Sequence, residues 1–113
     1  MLGIARITLH PGQVEEYKRL SEQCMEIVRA KEPGTLEYSI FFNEDETEAI
    51  VIERYESPEA GMQHMENMGE LTSAVAATGD LGGEVLGEPS PELRKALEGS
   101  GVRLFTPWLT LTE

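Results

Sequence analysis

The chain has 113 residues, 40% of them hydrophobic and 27% charged, which suits one globular domain and leaves no comfortable room for two. Nine Lys and Arg against 21 Asp and Glu give a net charge of −12; repulsion on that scale opposes phosphate backbones and anionic lipid heads, so neither nucleic acid nor a membrane is an expected partner. Cys24 is the single cysteine, which excludes an intrachain disulfide and a single-chain cysteine zinc site and fits a reducing cytoplasm. No export signal is expected, and no apolar run approaches the ~20 residues of a membrane span.

Residues 2–9 predict a strand with Gly3, Ala5, Ile7 and Leu9 on one face and Leu2, Ile4, Arg6 and Thr8 on the other. Apolar residues on both faces mark it as internal. After His10-Pro11-Gly12, the residues Val14, Tyr17, Leu20, Cys24, Ile27 and Val28 recur at spacings of three and four, which predicts an amphipathic helix ending near Pro33-Gly34. Cys24 lies mid-stripe, where a thiol acts as a small hydrophobe. Residues 35–42 and 48–55 are β-rich runs joined by Asn43-Glu44-Asp45-Glu46-Thr47, an antiparallel hairpin. The Glu44-Asp45-Glu46 cluster lacks the alternating oxygen ligands and glycine of a calcium loop and reads as a solvated turn.

Ser57-Pro58-Glu59-Ala60 opens a second helix: Ser57 can cap free amides, Pro58 fits the first helical position, and Glu59 complements the positive dipole end. Gly69 interrupts it. Residues 79–83 read as a flexible link and residues 84–87 as a strand. Ser90-Pro91-Glu92-Leu93 repeats the capping signal and opens a short helix to about Leu97, and residues 102–106 form a last strand. The order β-α-β-β-α-β, with an added helix and strand, predicts a single α+β domain over 1–113. Its fold is ferredoxin-like, with one antiparallel sheet and helices on one face. The bare sheet face and the apolar tail from Phe105 to Leu111 both need cover, so a homodimer is expected, with residues 90–113 as an extension that can serve as a dimer arm.

Pro33-Gly34-Thr35-Leu36-Glu37-Tyr38 after the first helix and Ile52-Glu53-Arg54-Tyr55-Glu56-Ser57-Pro58-Glu59-Ala60 into the second, followed by His64-Met65 one turn on, carry a resemblance. Over about residues 2–86 the chain resembles the antibiotic biosynthesis monooxygenase (ABM) family of dimeric α+β-barrel proteins, which includes quinol monooxygenases. The resemblance implies sheets paired into a barrel between two subunits, a small cavity between sheet and helices in each, and oxidation of hydroxyaromatic compounds by oxygen without a cofactor. Relatives degrade haem or isomerise small metabolites. The first strand, Leu2-Gly3-Ile4-Ala5-Arg6-Ile7-Thr8, lacks the asparagine of the haem-degrading branch, and Met68 stands where many relatives carry a second histidine.

His64 is the leading catalytic candidate, because an imidazole titrates near neutrality and can take a phenolic proton; the plainer alternative is a packed histidine. Tyr38 and Tyr55 could orient a hydroxyaromatic ring or simply pack across strands. Arg54 and Arg6 could neutralise a developing phenolate or answer a neighbouring carboxylate. Met62, Met65 and Met68 recur every third residue, and Met65 and Met68 are the candidates to line a cavity for a flat ligand, with core filling as the alternative. His10 and His64 form no metal-ligand spacing with nearby carboxylates, so no metal is expected. The GxxGG of residues 79–83 matches no dinucleotide fingerprint, no serine nucleophile elbow is present, and no cofactor is expected. The expected activity is a cofactor-independent monooxygenase acting on a small hydroxyaromatic or quinol with O2. The alternatives are an isomerase or lyase on a small oxygenated metabolite, or a non-catalytic dimeric binding or accessory module.

Overall fold

Strand β1 (Leu2–Leu9) lies at the centre of the sheet because it is apolar on both faces and can be hydrogen-bonded along both edges. It is antiparallel to β3 (Glu48–Tyr55) on one side and to β4 (Gly79–Leu86) on the other, and β2 (Thr35–Phe42) pairs with the far edge of β3. The sheet order is β2-β3-β1-β4-β5. The computed structural model describes residues 1–111.

Helix α1 (Val14–Lys31) buries Tyr17, Leu20, Cys24 and Val28, the stripe that its spacing predicts. The hairpin turn between β2 and β3 is built by side chains: Asn43 Oδ1 accepts from the amides of Thr47 and Glu48, and Asp45 Oδ1 accepts from Thr47 Oγ1. Helix α2 (Pro58–Met68) opens on Ser57, whose hydroxyl accepts from the Ala60 amide, and stops at Gly69, where φ is +47°. The chain then re-enters a helix as α3 (Glu70–Ala76). Helix α4 (Pro91–Ala96) opens the same way on Ser90 and packs against α2.

Two expectations are corrected here. Residues 79–83 are not a flexible link: they form the first part of β4, and their glycines are what permit the close approach to β1. A Cβ on Gly79 would sit 2.3 Å from the Thr8 carbonyl oxygen, and one on Gly83, at φ +152°, 2.2 Å from the Ile4 carbonyl oxygen. The sheet is also mixed, because β5 (Arg103–Phe105) runs parallel to β4. A strand that returns through a helix, as β5 does through α4, enters parallel to the strand it left.

The alternation along β1 and β3 sends Ile7, Leu9, Ala49, Val51 and Tyr55 to the helix side, where Ile7, Leu9, Tyr17 and Ala49 form one core cluster. Cys24, Val28 and Met68 form a second. Val75 touches both. Phe41 and Trp108 remain exposed, Trp108 at 93%. No helix of the described residues is long and apolar enough to cross a membrane.

The glycine pattern of β4 is testable. Gly83→Val is expected to cost about 2–3 kcal/mol of unfolding free energy, while Gly82→Ala, whose Cβ would meet nothing within 4 Å, is expected to stay within about 0.5 kcal/mol. Urea unfolding of the two variants checks both.

Candidate functional site

Small residues on the inner face of the sheet open the space that the site occupies. Gly3 and Ala5 on β1 stand opposite Glu53 and Val51 on β3, and Gly83 stands opposite Ala5 on β4. Helices pack over positions with little or no side chain, so the layers cannot close completely. Ala5 borders a cavity of about 180 Å³ between the sheet and helices α1, α2 and α3, and Gly3 borders a neighbouring one. The walls of the first include Tyr17 and Cys24 of α1, Tyr38 of β2, Glu53 of β3, His64 and Met68 of α2, and Leu71 and Val75 of α3.

His64 projects from α2 into this wall and is 8% exposed. Its Nδ1 lies 2.8 Å from Glu32 Oε1, and the Glu32 side chain is 1% exposed. Glu32 also accepts from Thr35 Oγ1 at 2.8 Å and from Asn67 Nδ2 at 3.2 Å. A carboxylate so supplied with donors is an acceptor, which makes Nδ1 the protonated nitrogen and leaves the Nε2 lone pair free. Nε2 is 3.6 Å from Glu53 Oε1, and Glu53 accepts a hydrogen bond from the Tyr55 hydroxyl. Both tyrosine rings lean on the imidazole, Tyr38 at 5.4 Å and Tyr55 at 5.8 Å between centroids.

The phenols and the thiol are held in their protonated forms. Burial, with the Glu53 carboxylate adding to it, pushes Tyr55 far above the ordinary tyrosine value. Burial likewise raises Tyr38 and Tyr17. Cys24 is raised by burial, partly offset by the Tyr38 hydroxyl. These groups are therefore donors at neutral pH and not bases. The site has one imidazole with a free nitrogen, two carboxylates and a set of neutral phenols around an apolar space, an arrangement suited to proton transfer.

The structure brings five of the six expected site residues together around the imidazole: Tyr38 and Met68 line the cavity with His64, and Tyr55 and Met65 line a neighbouring cavity that shares His64. It does not bring Arg54 there. Strand alternation turns Arg54 to the face opposite Glu53, where its side chain is 52% exposed and its Nε is 3.5 Å from Glu37 Oε1. Arg6 lines the first cavity, where it is paired with Glu84 at 3.1 Å, and His10 pairs with Asp80 at 3.3 Å. Glu32 and Glu53 were not among the expected residues, although each carries a signal. Glu32 continues the apolar stripe of α1 four residues after Val28, and Glu53 is the acid among the inward positions Ala49, Val51 and Tyr55 of β3. Among the described residues no group of three or more His, Cys, Asp or Glu is arranged to hold a metal ion.

The ferredoxin-like βαββαβ core and the cavity between sheet and helices define a class of small α+β proteins. The antibiotic biosynthesis monooxygenase family profile matches residues 2–76, and the chain belongs to that family. Among solved structures it is similar to MupZ from Pseudomonas fluorescens, with 23% identity and a TM-score of 0.85 over 99% of this chain and 88% of that one. A protein described as an antibiotic biosynthesis monooxygenase aligns with 24% identity and a TM-score of 0.63, covering 74% of this chain and 90% of that one. Rv0793 from Mycobacterium tuberculosis aligns with 20% identity and a TM-score of 0.64, covering 73% and 89%. At these identities the likeness is one of fold. No curated protein is a detectable relative by sequence.

Glu32→Ala leaves the buried His64 donor and the part-buried donors of Thr35 and Asn67 unmatched and is expected to cost about 3 kcal/mol of stability by urea unfolding. The tyrosines set an alkaline limit. Each binds its proton more tightly in the folded chain than in the unfolded one, so their contribution is complete below about pH 10 and is lost as the pH rises beyond it. With three phenols the loss approaches about 4 kcal/mol per pH unit. Tyrosinate absorbance is expected to appear together with unfolding, measured by circular dichroism, and not before it.

Proposed function

We propose that the chain is a monooxygenase that oxidises a single-ring hydroxyaromatic, a quinol, with O2 and without a cofactor. The observation that carries this reading is His64, anchored through Nδ1 on buried Glu32 while its other nitrogen borders an apolar cavity. A cavity of about 180 Å³ suits one substituted ring, since an apolar cavity of about 150 Å³ accepts benzene. His64 Nε2 takes the proton of a ring hydroxyl, and the imidazolium that forms lies between the carboxylates of Glu32 and Glu53. Tyr38 donates a hydrogen bond to the ring oxygen, and Met68 packs against the ring.

The electron-rich anion reduces O2 itself. A ring carbon–oxygen bond forms, the resulting hydroperoxide breaks its O–O bond with loss of water, and a hydroxyquinone remains. One oxygen atom enters the product and the other leaves as water; the quinol supplies all four electrons, and no external reductant is needed. The protein's part is to position the ring, remove the proton and exclude bulk water. The carboxylates at both imidazole nitrogens also suit proton shuttling without O2, as in an isomerase or lyase on a small oxygenated metabolite. The functional unit in our reading is a homodimer paired through the bare sheet face, with residues 107–113 as an arm on the second copy.

Oxygen uptake over a panel of hydroquinones and polyphenols, corrected for autoxidation, tests the reaction. Uptake is expected to fall about 10²- to 10⁴-fold in His64→Ala with the native circular dichroism spectrum retained at the assay temperature, while the melting temperature falls because buried Glu32 loses a donor. A flat trace across the panel overturns the oxygenase reading in favour of isomerisation or a non-catalytic module. Size-exclusion chromatography of a chain lacking residues 107–113 is expected to show a monomer; an unchanged dimer removes the arm.

A further inference from the structure

A second cavity, of about 140 Å³, lies on the other side of the same imidazole. Its walls include His64 and Glu53, which also line the first cavity, so the two spaces share the proposed acid–base pair as a partition. The remaining walls come largely from elsewhere. Leu93 and Leu97, at the α4 end of the cavity, and Val102, just before β5, face Tyr55 and Met65 across it. Leu93 is 2% exposed, which shows that α4 is firmly seated on α2 rather than loosely laid over it. These three residues lie beyond residue 76, where the family match ends.

Gly61 of α2 and Gly3 of β1 both line the second cavity, and neither has a side chain to fill it. A Cβ on Gly3 would come to 3.7 Å from the Glu53 Cβ, an ordinary contact distance, while one on Gly61 would meet the Met1 side chain at 2.8 Å. Tyr55 donates to the Glu53 carboxylate, the Glu84 carboxylate is paired with Arg6, and the rest of the lining is dominated by aliphatic and thioether groups. A cavity of this kind solvates an apolar group and has few polar partners for anything else.

We infer that the second cavity seats an apolar arm, a short alkyl or acyl chain, of the same substrate whose hydroxylated ring occupies the first cavity, with the bond between ring and arm passing His64. This rests on the proposed function for the ring's seat. The C-terminal extension thereby becomes a specificity element: α4 and the segment entering β5 select a ring with an arm over the bare ring. Burying an arm of four methylenes is worth up to about 3 kcal/mol, or about a hundredfold in affinity.

The methionines report on the two seats separately, since Met68 lines the first cavity and Met65 the second. With the full chain labelled at methionine methyl groups, anaerobic NMR titrations with hydroquinone and with n-butylhydroquinone read occupancy without turnover. Hydroquinone is expected to shift Met68 alone; n-butylhydroquinone is expected to shift both and to bind at least tenfold tighter. Val102→Trp, which fills the second cavity, is expected to abolish the Met65 response and the affinity advantage, and Leu97→Trp serves the same end if the first variant does not fold. Should both compounds shift Met68 while Met65 stays unmoved and the affinities are equal, the arm's seat is overturned and the ring's seat stands. If neither compound shifts either methionine, the hydroxyaromatic reading falls and the arm's seat falls with it.

Discussion

The hydrogen bond from His64 to Glu32 is the constraint on which the rest of the site depends. It joins the end of α1 to the middle of α2, across 32 residues of sequence, through atoms almost wholly removed from water. A carboxylate so buried must be matched by donors, and here three side chains from two segments supply them: Thr35 at the start of β2, and His64 and Asn67 of α2. The bond therefore does two things with one proton. It holds α2 in register over the sheet, and it decides which imidazole nitrogen keeps a free lone pair.

That arrangement is affordable only because the sheet beneath leaves room. Ala5 lines the first cavity, and Gly3 and Ala5 line the second, where larger residues would fill the space, while Gly79 and Gly83 of β4 lie against the β1 backbone with no room for a side chain. Core packing is correspondingly split into two clusters that meet at Val75. The edge-to-face contact of Tyr17 with Phe42, centroids 5.9 Å apart, stiffens one side of the opening. A fully packed inner face would make a more stable domain with nothing in it.

Much of this was legible in the sequence where local chemistry decides it. Ser57-Pro58 and Ser90-Pro91 announce helix starts that the structure keeps, and Gly69 marks the break between α2 and α3. The glycines of residues 79–83 mislead for a physical reason: a glycine is permissive in isolation, and only the partner strand reveals that it is there to admit a neighbouring backbone. The site shows the same divide. His64, Tyr38 and Met68 follow from residue type and helical or strand spacing, whereas choosing between Glu53 and Arg54 turns on parity alone. A one-residue step along β3 exchanges a cavity carboxylate for an exposed arginine paired with Glu37. Glu32 is harder still, because an acid at a helix end is usually solvated, and its burial comes from α2 closing over it.

The electrostatics of the site bear on the proposed chemistry in one direction. Two carboxylates already border the imidazole, and the nearby phenols stay protonated. Arg54 and Arg6, the cations expected to neutralise a phenolate, are both engaged with carboxylates of their own. A phenolate formed in the cavity thus gains the imidazolium as its unpaired positive neighbour while facing two carboxylates, because Arg6, although in the cavity wall, is already neutralised by Glu84. Such an anion is not a resting species; it is raised in energy relative to the same anion in water, and a less stabilised anion is a stronger reductant. For a reaction in which the substrate itself must reduce O2, weak stabilisation of the anion favours electron donation, and the anchored imidazole confines that reactive form to the moment when a proton has been taken.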